Sequence, residues 1–209
     1  MKQEEKNRRS YDKILQAAIA EFGTKSYGEA SLNAICNENH IAKGLLYHYF
    51  KSKDALYLRC VELCFQELTD YLQSAVYDSP NFRENLKKLL QLRSRFFQQH
   101  PDYSNIFFHA VLQPPMHLRD ELKRIRQAFD DFHASRYQEL LQHIKLREGI
   151  TDEAALNYFF AFQEMFNTHF QNRARQDGID LYDLITDHEE RISDMLDIML
   201  FGIAKENAK

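Results

Sequence analysis

Tryptophan is absent from the 209 residues, and only six glycines, four prolines and three cysteines interrupt a chain rich in Leu, Glu, Gln, Ala, Lys and Arg. So little turn-forming punctuation excludes turn-rich all-β folds and favours an all-α class. No apolar run approaches the roughly 18 residues that span a bilayer, and the opening MKQEEKNRRSYDK contains no apolar stretch of the signal-peptide kind. The expectation is a cytoplasmic protein without membrane contact. Cys36, Cys60 and Cys64 form an odd set that lacks the paired spacings of a zinc site or a disulfide framework. Cys60 and Cys64 stand one helical turn apart and could share a soft metal, but no His lies at ligand spacing, so core packing of reduced thiols is expected. No metal or cofactor is expected.

What is present is ordinary for a globular protein: 44% hydrophobic and 28% charged residues. The net charge of −4 is unevenly spread, since residues 1–60 carry ten Lys or Arg against seven Asp or Glu, and the remainder is acidic. A basic N-terminal quarter on an acidic body permits a nucleic-acid-facing head without requiring one.

Helical spacing of Ile14, Ala18 and Phe22 predicts a first helix from about Arg8 to Phe22, ending at Gly23. After a short loop, Ser31 is placed to cap a second helix, Leu32 to about Glu38, with Leu32, Ile35 and Cys36 on its buried face. A tight turn at Asn39, His40 and Ile41 leads to a third helix, about Ala42 to Phe50. Its Leu45, Leu46, Tyr49 and Phe50 are expected on the inner face, leaving Lys43, Gly44, Tyr47 and His48 exposed. Two short helices joined in this way form a helix-turn-helix. Ser52 is positioned to cap a fourth helix running from Lys53 toward Tyr77.

Beyond Pro80 the spacing predicts longer helices: about Phe82 to Gln99, Asp102 to Leu112, His117 to Arg147, Asp152 to Gln176 and Asp187 to Ala204. Pro101, Pro114, Pro115, Gly149 and Gly178 mark the breaks. Thr186 followed by Glu189 reads as a capping box for the last of these, with a stripe of Ile192, Met195, Leu196, Met199, Leu200 and Ile203.

The segment SLNAICNENHIAKGLLYHYFKSKDAL, and above all Gly44-Leu45-Leu46-Tyr47-His48-Tyr49-Phe50-Lys51-Ser52-Lys53, resembles the DNA-binding head of the TetR family of bacterial regulators. The resemblance covers about residues 8–57. It implies a small three-helix head over 1–52, a connecting helix over 53–78, and a helical body over 79–209 that dimerises and holds a small-molecule effector. About nine helices are expected in all. The implied function is sequence-specific binding of double-stranded operator DNA, usually as a repressor.

The residues agree with that implication. A major groove admits one α-helix, and the third helix offers Lys43 to phosphate or guanine and Tyr47 and His48 to backbone oxygens. Gly44 costs about 1 kcal/mol of helix propensity relative to Ala, so close approach of its backbone to DNA is the expected reason for its presence. Lys53 in the first turn of a helix opposes the helix dipole, a conflict that a bound phosphate removes. The candidate DNA-binding set is therefore Ser31, Ala42, Lys43, Gly44, Leu45, Tyr47, His48 and Lys53. The basic residues Lys2, Lys6, Arg8 and Arg9, interrupted by Glu4 and Glu5, are either a DNA-touching arm or a disordered tail.

Three positions depart from the family pattern. His40 stands where Gly is usual, Ala42 where a capping Ser or Thr is usual, and Leu45 where a small polar residue is usual. Asn39 or His40 is expected to take the positive φ of the turn, and loss of the cap at Ala42 should cost roughly 1 kcal/mol.

In the body, the apolar run Asn157 to Phe170 must be buried on more than one side. Pairing of helices 152–176 and 187–204 with their symmetry mates would form a four-helix homodimer interface, as the family resemblance also implies. Polar residues interrupt three apolar stripes: Arg93 on that of Phe82, Leu86, Leu89, Leu90 and Phe96; Arg136, with His133 adjacent, on that of Phe129, Phe132 and Leu140; and Gln163 and Asn167 on that of Phe159, Phe166 and Phe170. Buried polar groups need partners. Arg93, His109, Phe129, Phe132, His133, Arg136, Gln163, Phe166 and Asn167 are the candidate set for an apolar ligand bearing an acidic or carbonyl group. The rival readings are a DNA-binding protein without an inducer and a helical enzyme using His169 or Glu164, for which no catalytic motif is present.

Overall fold

The computed structural model describes residues 2–79, 81–175 and 179–203. Among them are nine α-helices and one 3-10 turn: α1 Lys2–Thr24, α2 Leu32–Glu38, α3 Lys43–Tyr49, α4 Lys53–Gln73, α5 Phe82–Gln99, α6 Pro101–Leu112, the turn Met116–Leu118, α7 Arg119–Leu141, α8 Asp152–Ala174 and α9 Leu181–Ile203. Pro80, Gln176, Gly178 and Ala204, which entered the expected boundaries, lie outside the described residues, as do the side chains of Phe82, Leu140 and Ile203.

The described chain forms two compact units. The first comprises the described part of Met1–Glu67, with Phe97–Ala110 and Pro114–Arg126. Its core is built by Ile14, Ala18 and Phe22 of α1, Ile35 of α2, Leu46 of α3, Leu56, Tyr57, Cys60, Val61 and Cys64 of α4, and Ile106 and Phe108 of α6, all nearly or fully buried. The cysteines are reduced and buried, and the Cys64 thiol donates to the Tyr103 carbonyl at 3.2 Å. Gly23 is required by close approach, because a Cβ there would sit 2.5 Å from the Cβ of Asp102. Asn105 seals the contact by donating to the Gly23 carbonyl at 2.6 Å.

The second unit comprises Leu68–Phe96, Val111–Gln113 and the described part of Gln127–Lys209. Leu86, Leu89 and Phe96 of α5, Phe129, Phe132, Tyr137 and Leu141 of α7, Phe159, Phe166 and Phe170 of α8, and Leu184, Leu196 and Leu200 of α9 supply its core.

Several expected boundaries are corrected. The first helix begins at Lys2 and continues through Gly23 to Thr24, so Lys6, Arg8 and Arg9 belong to a helix and not to a loose tail. Arg9 pairs with Glu5 at 2.5 Å, one turn away. The fourth helix ends at Gln73, and the Tyr77 hydroxyl folds back onto the Leu72 carbonyl at 2.9 Å. The helix expected over 117–147 is a 3-10 turn followed by α7, which ends at Leu141. The last helix starts at Leu181, six residues before the expected start. Asp180 accepts the Tyr182 N–H at 2.8 Å at its start. Thr186 is therefore interior, its hydroxyl bonded to the Tyr182 carbonyl at 2.9 Å, and the capping box does not exist.

Candidate nucleic-acid interface

Ser31 caps α2, in extended backbone, by accepting the Asn33 N–H at 3.2 Å. Its own N–H is held by the buried carboxylate of Glu21 at 2.8 Å, which also pairs with Lys25 at 2.8 Å. The α2–α3 turn closes through His40, whose φ of 51° is the left-handed value expected at this position. Ala42 precedes α3 without a side-chain cap.

Leu46 and Phe50 bury the inner face of α3, while Ala42, Lys43, Gly44, Tyr47 and His48 are exposed. Leu45 joins the exposed set, 37% accessible, and not the inner face where the spacing placed it. Nothing lies within 4 Å of a Cβ built on Gly44, so its backbone faces open space.

The back of α3 is anchored to α1 by aromatic contacts. Tyr11 stacks on Phe50 at 5.4 Å and meets Tyr49 edge-on at 5.5 Å. The Tyr49 hydroxyl donates to the Asn7 carbonyl at 3.0 Å, so the N-terminal extension of α1 steadies α3.

Ser52 caps α4 by accepting the Ala55 N–H at 3.1 Å. Lys53 Nζ lies 4.5 Å over the Tyr27 ring and 3.4 Å from the Gly28 carbonyl. An ammonium has three donors, so this seat leaves capacity for a further acceptor. Asp54, beside it, accepts the Tyr27 hydroxyl and lies 3.4 Å from His117 Nε2. The Tyr27 bond is the main reason the Asp54 carboxyl is held below the ordinary carboxylate range, and Tyr27 itself is pushed up to about 12 by burial and by Asp54. Tyr27, Asp54 and His117 escaped the sequence reading because the three come from a loop, a helix start and a distant 3-10 turn.

The second candidate set is only partly brought together. His109 belongs to the first unit and the others to the second. Arg93, buried, pairs with Glu189 at 2.7 Å, and Glu189 also meets His188 Nδ1 at 3.1 Å. Burial works against the charged form of Glu189, but Arg93 and His188 together hold its carboxyl below the usual range. Glu189, expected in a cap, is the counterion of Arg93. His188 packs against Phe166 and Phe170, with centroids 4.8 and 4.9 Å away. His133 lies against Phe129 at 4.3 Å and Phe132 at 5.3 Å. Burial, aided by the Arg93 charge, pushes the His133 imidazole down to about 3, so it is neutral. Arg136 pairs with Glu139. Gln163 and Asn167 are half-buried on α8.

The family model described as "Bacterial regulatory proteins, tetR family" matches residues 14–60, and that described as "Tetracyclin repressor-like, C-terminal domain" matches residues 81–204. The biofilm operon icaADBC negative transcriptional regulator IcaR of Staphylococcus epidermidis is 36% identical over 61 residues, 29% of this chain and 33% of that protein. IcaR of Staphylococcus aureus strain Newman is 36% identical over 70 residues, 34% of this chain and 36% of its own length. The match thus spans about a third of these curated relatives. The fold is also similar to that of the transcriptional regulator FadR from Bacillus subtilis in complex with stearoyl-CoA, with a TM-score of 0.64 and 17% identity over 92% of this chain and 99% of that one. NalD, the secondary repressor of the MexAB-OprM multidrug efflux pump in Pseudomonas aeruginosa, gives a TM-score of 0.57 and 21% identity over 99% of this chain and all of its own. With one family model covering the helix-turn-helix and another covering more than half of the chain, this protein belongs to the TetR family of bacterial regulatory proteins.

Proposed function

We propose that the chain is a transcriptional repressor that binds a palindromic operator as a homodimer and leaves it when a small, largely apolar ligand occupies the body. The observation that carries the DNA-binding reading is the exposed face of α3, where Lys43, Gly44, Leu45, Tyr47 and His48 stand out while Leu46 and Phe50 are buried behind them. In this reading Lys43 meets phosphate or guanine from the major groove, Tyr47, His48 and Lys53 meet backbone oxygens, and Ser31 and Ala42 flank the backbone. The head is 1–52, the connecting helix 53–78, and the body 79–209.

Dimerisation uses the outer faces of α8 and α9, where Tyr158, Phe160, Met165 and Ile198 are exposed. Two heads about 34–36 Å apart, or a multiple of that distance, fit successive major grooves. A ligand preferred by a conformation with other spacing draws the population off DNA. The relatives named above support this reading, being described as regulators, one of them holding an acyl-CoA. We assign the chain no catalytic role and place it in the cytoplasm with its DNA; among the described residues no helix is long and apolar enough to cross a membrane.

The test is to mix the purified chain with sheared genomic DNA at moderate salt and sequence the retained fragments. Enrichment of fragments sharing a palindrome is expected. Lys53→Ala should then weaken binding nearly uniformly across sequences and reduce the salt slope by about 1, whereas Tyr47→Ala weakens binding without that signature. Unchanged binding in both variants overturns the site.

A further inference from the structure

Among the described residues of α5 and α7, four buried polar atoms lack a hydrogen-bond partner: Arg93 Nε, His133 Nε2, Arg136 Nε and the Tyr137 hydroxyl. His133, Arg136 and Tyr137 are spaced i, i+3 and i+4 and so share one face of α7. Asn85 and Leu89 of α5 line one cleft with Arg136, Glu139 and His143 of α7, which places α5 beside that helix. The cleft, of about 50 Å³, is also lined by Tyr77. Arg136 lines the cleft itself, Arg93 follows Leu89 by one turn on α5, and His133 and Tyr137 flank Arg136 on α7, so the cleft and the unpartnered atoms adjoin along the α5–α7 seam.

A buried polar atom left unsatisfied is destabilising, so four along one seam require an explanation beyond packing. Their chemistry is specific. Three are N–H or O–H donors, and the neutral His133 can donate or accept. Charge is already balanced, because Arg93 gives a terminal nitrogen to Glu189 and Arg136 gives one to Glu139. Each guanidinium therefore offers its Nε–H beside a carboxylate that would repel an anion. Aromatic side chains surround the unpartnered atoms: Phe129 and Phe132 lie against His133, and Tyr137 stacks on Phe159 at 4.1 Å.

We propose that the α5–α7 seam binds an uncharged, largely apolar molecule with two or more hydrogen-bond acceptors, such as ester, ketone or ether oxygens, received by Arg93 Nε, Arg136 Nε and the Tyr137 hydroxyl. This rests on the reading of the body as effector-binding and narrows its ligand from an apolar molecule bearing an acidic or carbonyl group to a neutral one bearing acceptors. The cleft is well below the roughly 300 Å³ of a drug-sized pocket, so binding parts α5 from α7 and selects a different conformation of the body.

The test uses the full chain and three molecules built on one ring: dimethyl phthalate, o-xylene and phthalate. Dimethyl phthalate at millimolar concentration should raise Tm by several degrees, o-xylene by clearly less, and phthalate not at all. Tyr137→Phe removes an unpartnered hydroxyl at nearly constant volume; it should keep or raise the ligand-free Tm and weaken diester binding several-fold, as should Arg136→Met. Equal stabilisation by phthalate or o-xylene, no shift with the diester, or undiminished diester binding in both variants overturns the proposal. Operator binding by the ligand-free protein is scored separately. Its failure sinks the regulator reading, while intact operator binding without a diester shift sinks only this one.

Discussion

The carboxylate of Glu21, in the last turn of α1, accepts the backbone N–H of Ser31, the residue that caps α2, across 2.8 Å. This part-buried bond fixes where the helix-turn-helix begins relative to α1. Glu21→Ala leaves the Ser31 N–H without its acceptor and should cost about 1–3 kcal/mol in urea denaturation, with a matching loss of DNA affinity. Lys25→Ala removes only the exposed partner of Glu21 and should leave stability nearly unchanged. A neutral Glu21→Ala would show that the bond contributes nothing.

The turn between α2 and α3 carries two removable costs. His40 holds a left-handed φ of 51°, which glycine adopts without strain. His40→Gly should therefore raise stability by about 1 kcal/mol. Ala42→Thr supplies the missing cap of α3 and should add about 1 kcal/mol. Thermal unfolding of both variants checks this, and a fall in Tm for His40→Gly would mean that the imidazole makes a stabilising contact.

At Gly44 stability and function should separate. An added methyl meets nothing within 4 Å, so Gly44→Ala gains about 1 kcal/mol of helix propensity. If the backbone approaches DNA there, affinity falls in the same variant. Paired measurement of Tm and operator affinity distinguishes this from a surface glycine with no role, for which both rise or only Tm changes.

Acid should destabilise the second unit through its histidines. Burial pushes His133 down to about 3 from an ordinary value of 6.5, and burial likewise lowers His188. The unfolded chain takes up protons that the folded one refuses, so stability is full above about pH 6.5 and is lost as pH falls toward the folded value. Each such imidazole contributes up to about 1.4 kcal/mol per pH unit in that window. His133→Phe should lose less stability than the wild type between pH 7 and pH 5; equal losses would place the acid sensitivity elsewhere.

If α8 and α9 pair with a second copy, Met165→Lys and Ile198→Lys each place a charge in that interface. Sedimentation should then show a shift from dimer toward monomer, with operator affinity falling in step. An unaltered dimer in both variants would exclude these faces.

Local chemistry made much of the fold legible. The Ser31 cap and the Ile35–Cys36 pair gave α2 to the residue, because a capped seven-residue helix has little freedom in where it begins. The last helix was misread because Thr186 and Glu189 satisfy a capping pattern, while Asp180, outside any such box, provides the N-terminal acceptor. Arg93 and Arg136 stood out as polar interruptions of apolar stripes. Their partners did not: Glu139 sits three residues along the same helix, but Glu189 is 96 residues away, and only folding joins it to Arg93. Leu45 was placed inside by apolar periodicity, yet a helix of two turns can leave one leucine outside when Leu46 and Phe50 already fill the inner face.

The first unit is assembled from three separate stretches of chain, since Phe97–Ala110 and Pro114–Arg126 belong to it along with Met1–Glu67. Asp102 presses on Gly23, and Asn105 bonds its carbonyl. A head cut out at the end of α4 and grafted onto another body would lose those supports and bare Ile106 and Phe108 of the donor. In this protein the proposed DNA-reading head is not a cassette: chimeras should work only when α6 travels with the head, and recombination between relatives should succeed more often at whole-chain scale than at a cut just after α4.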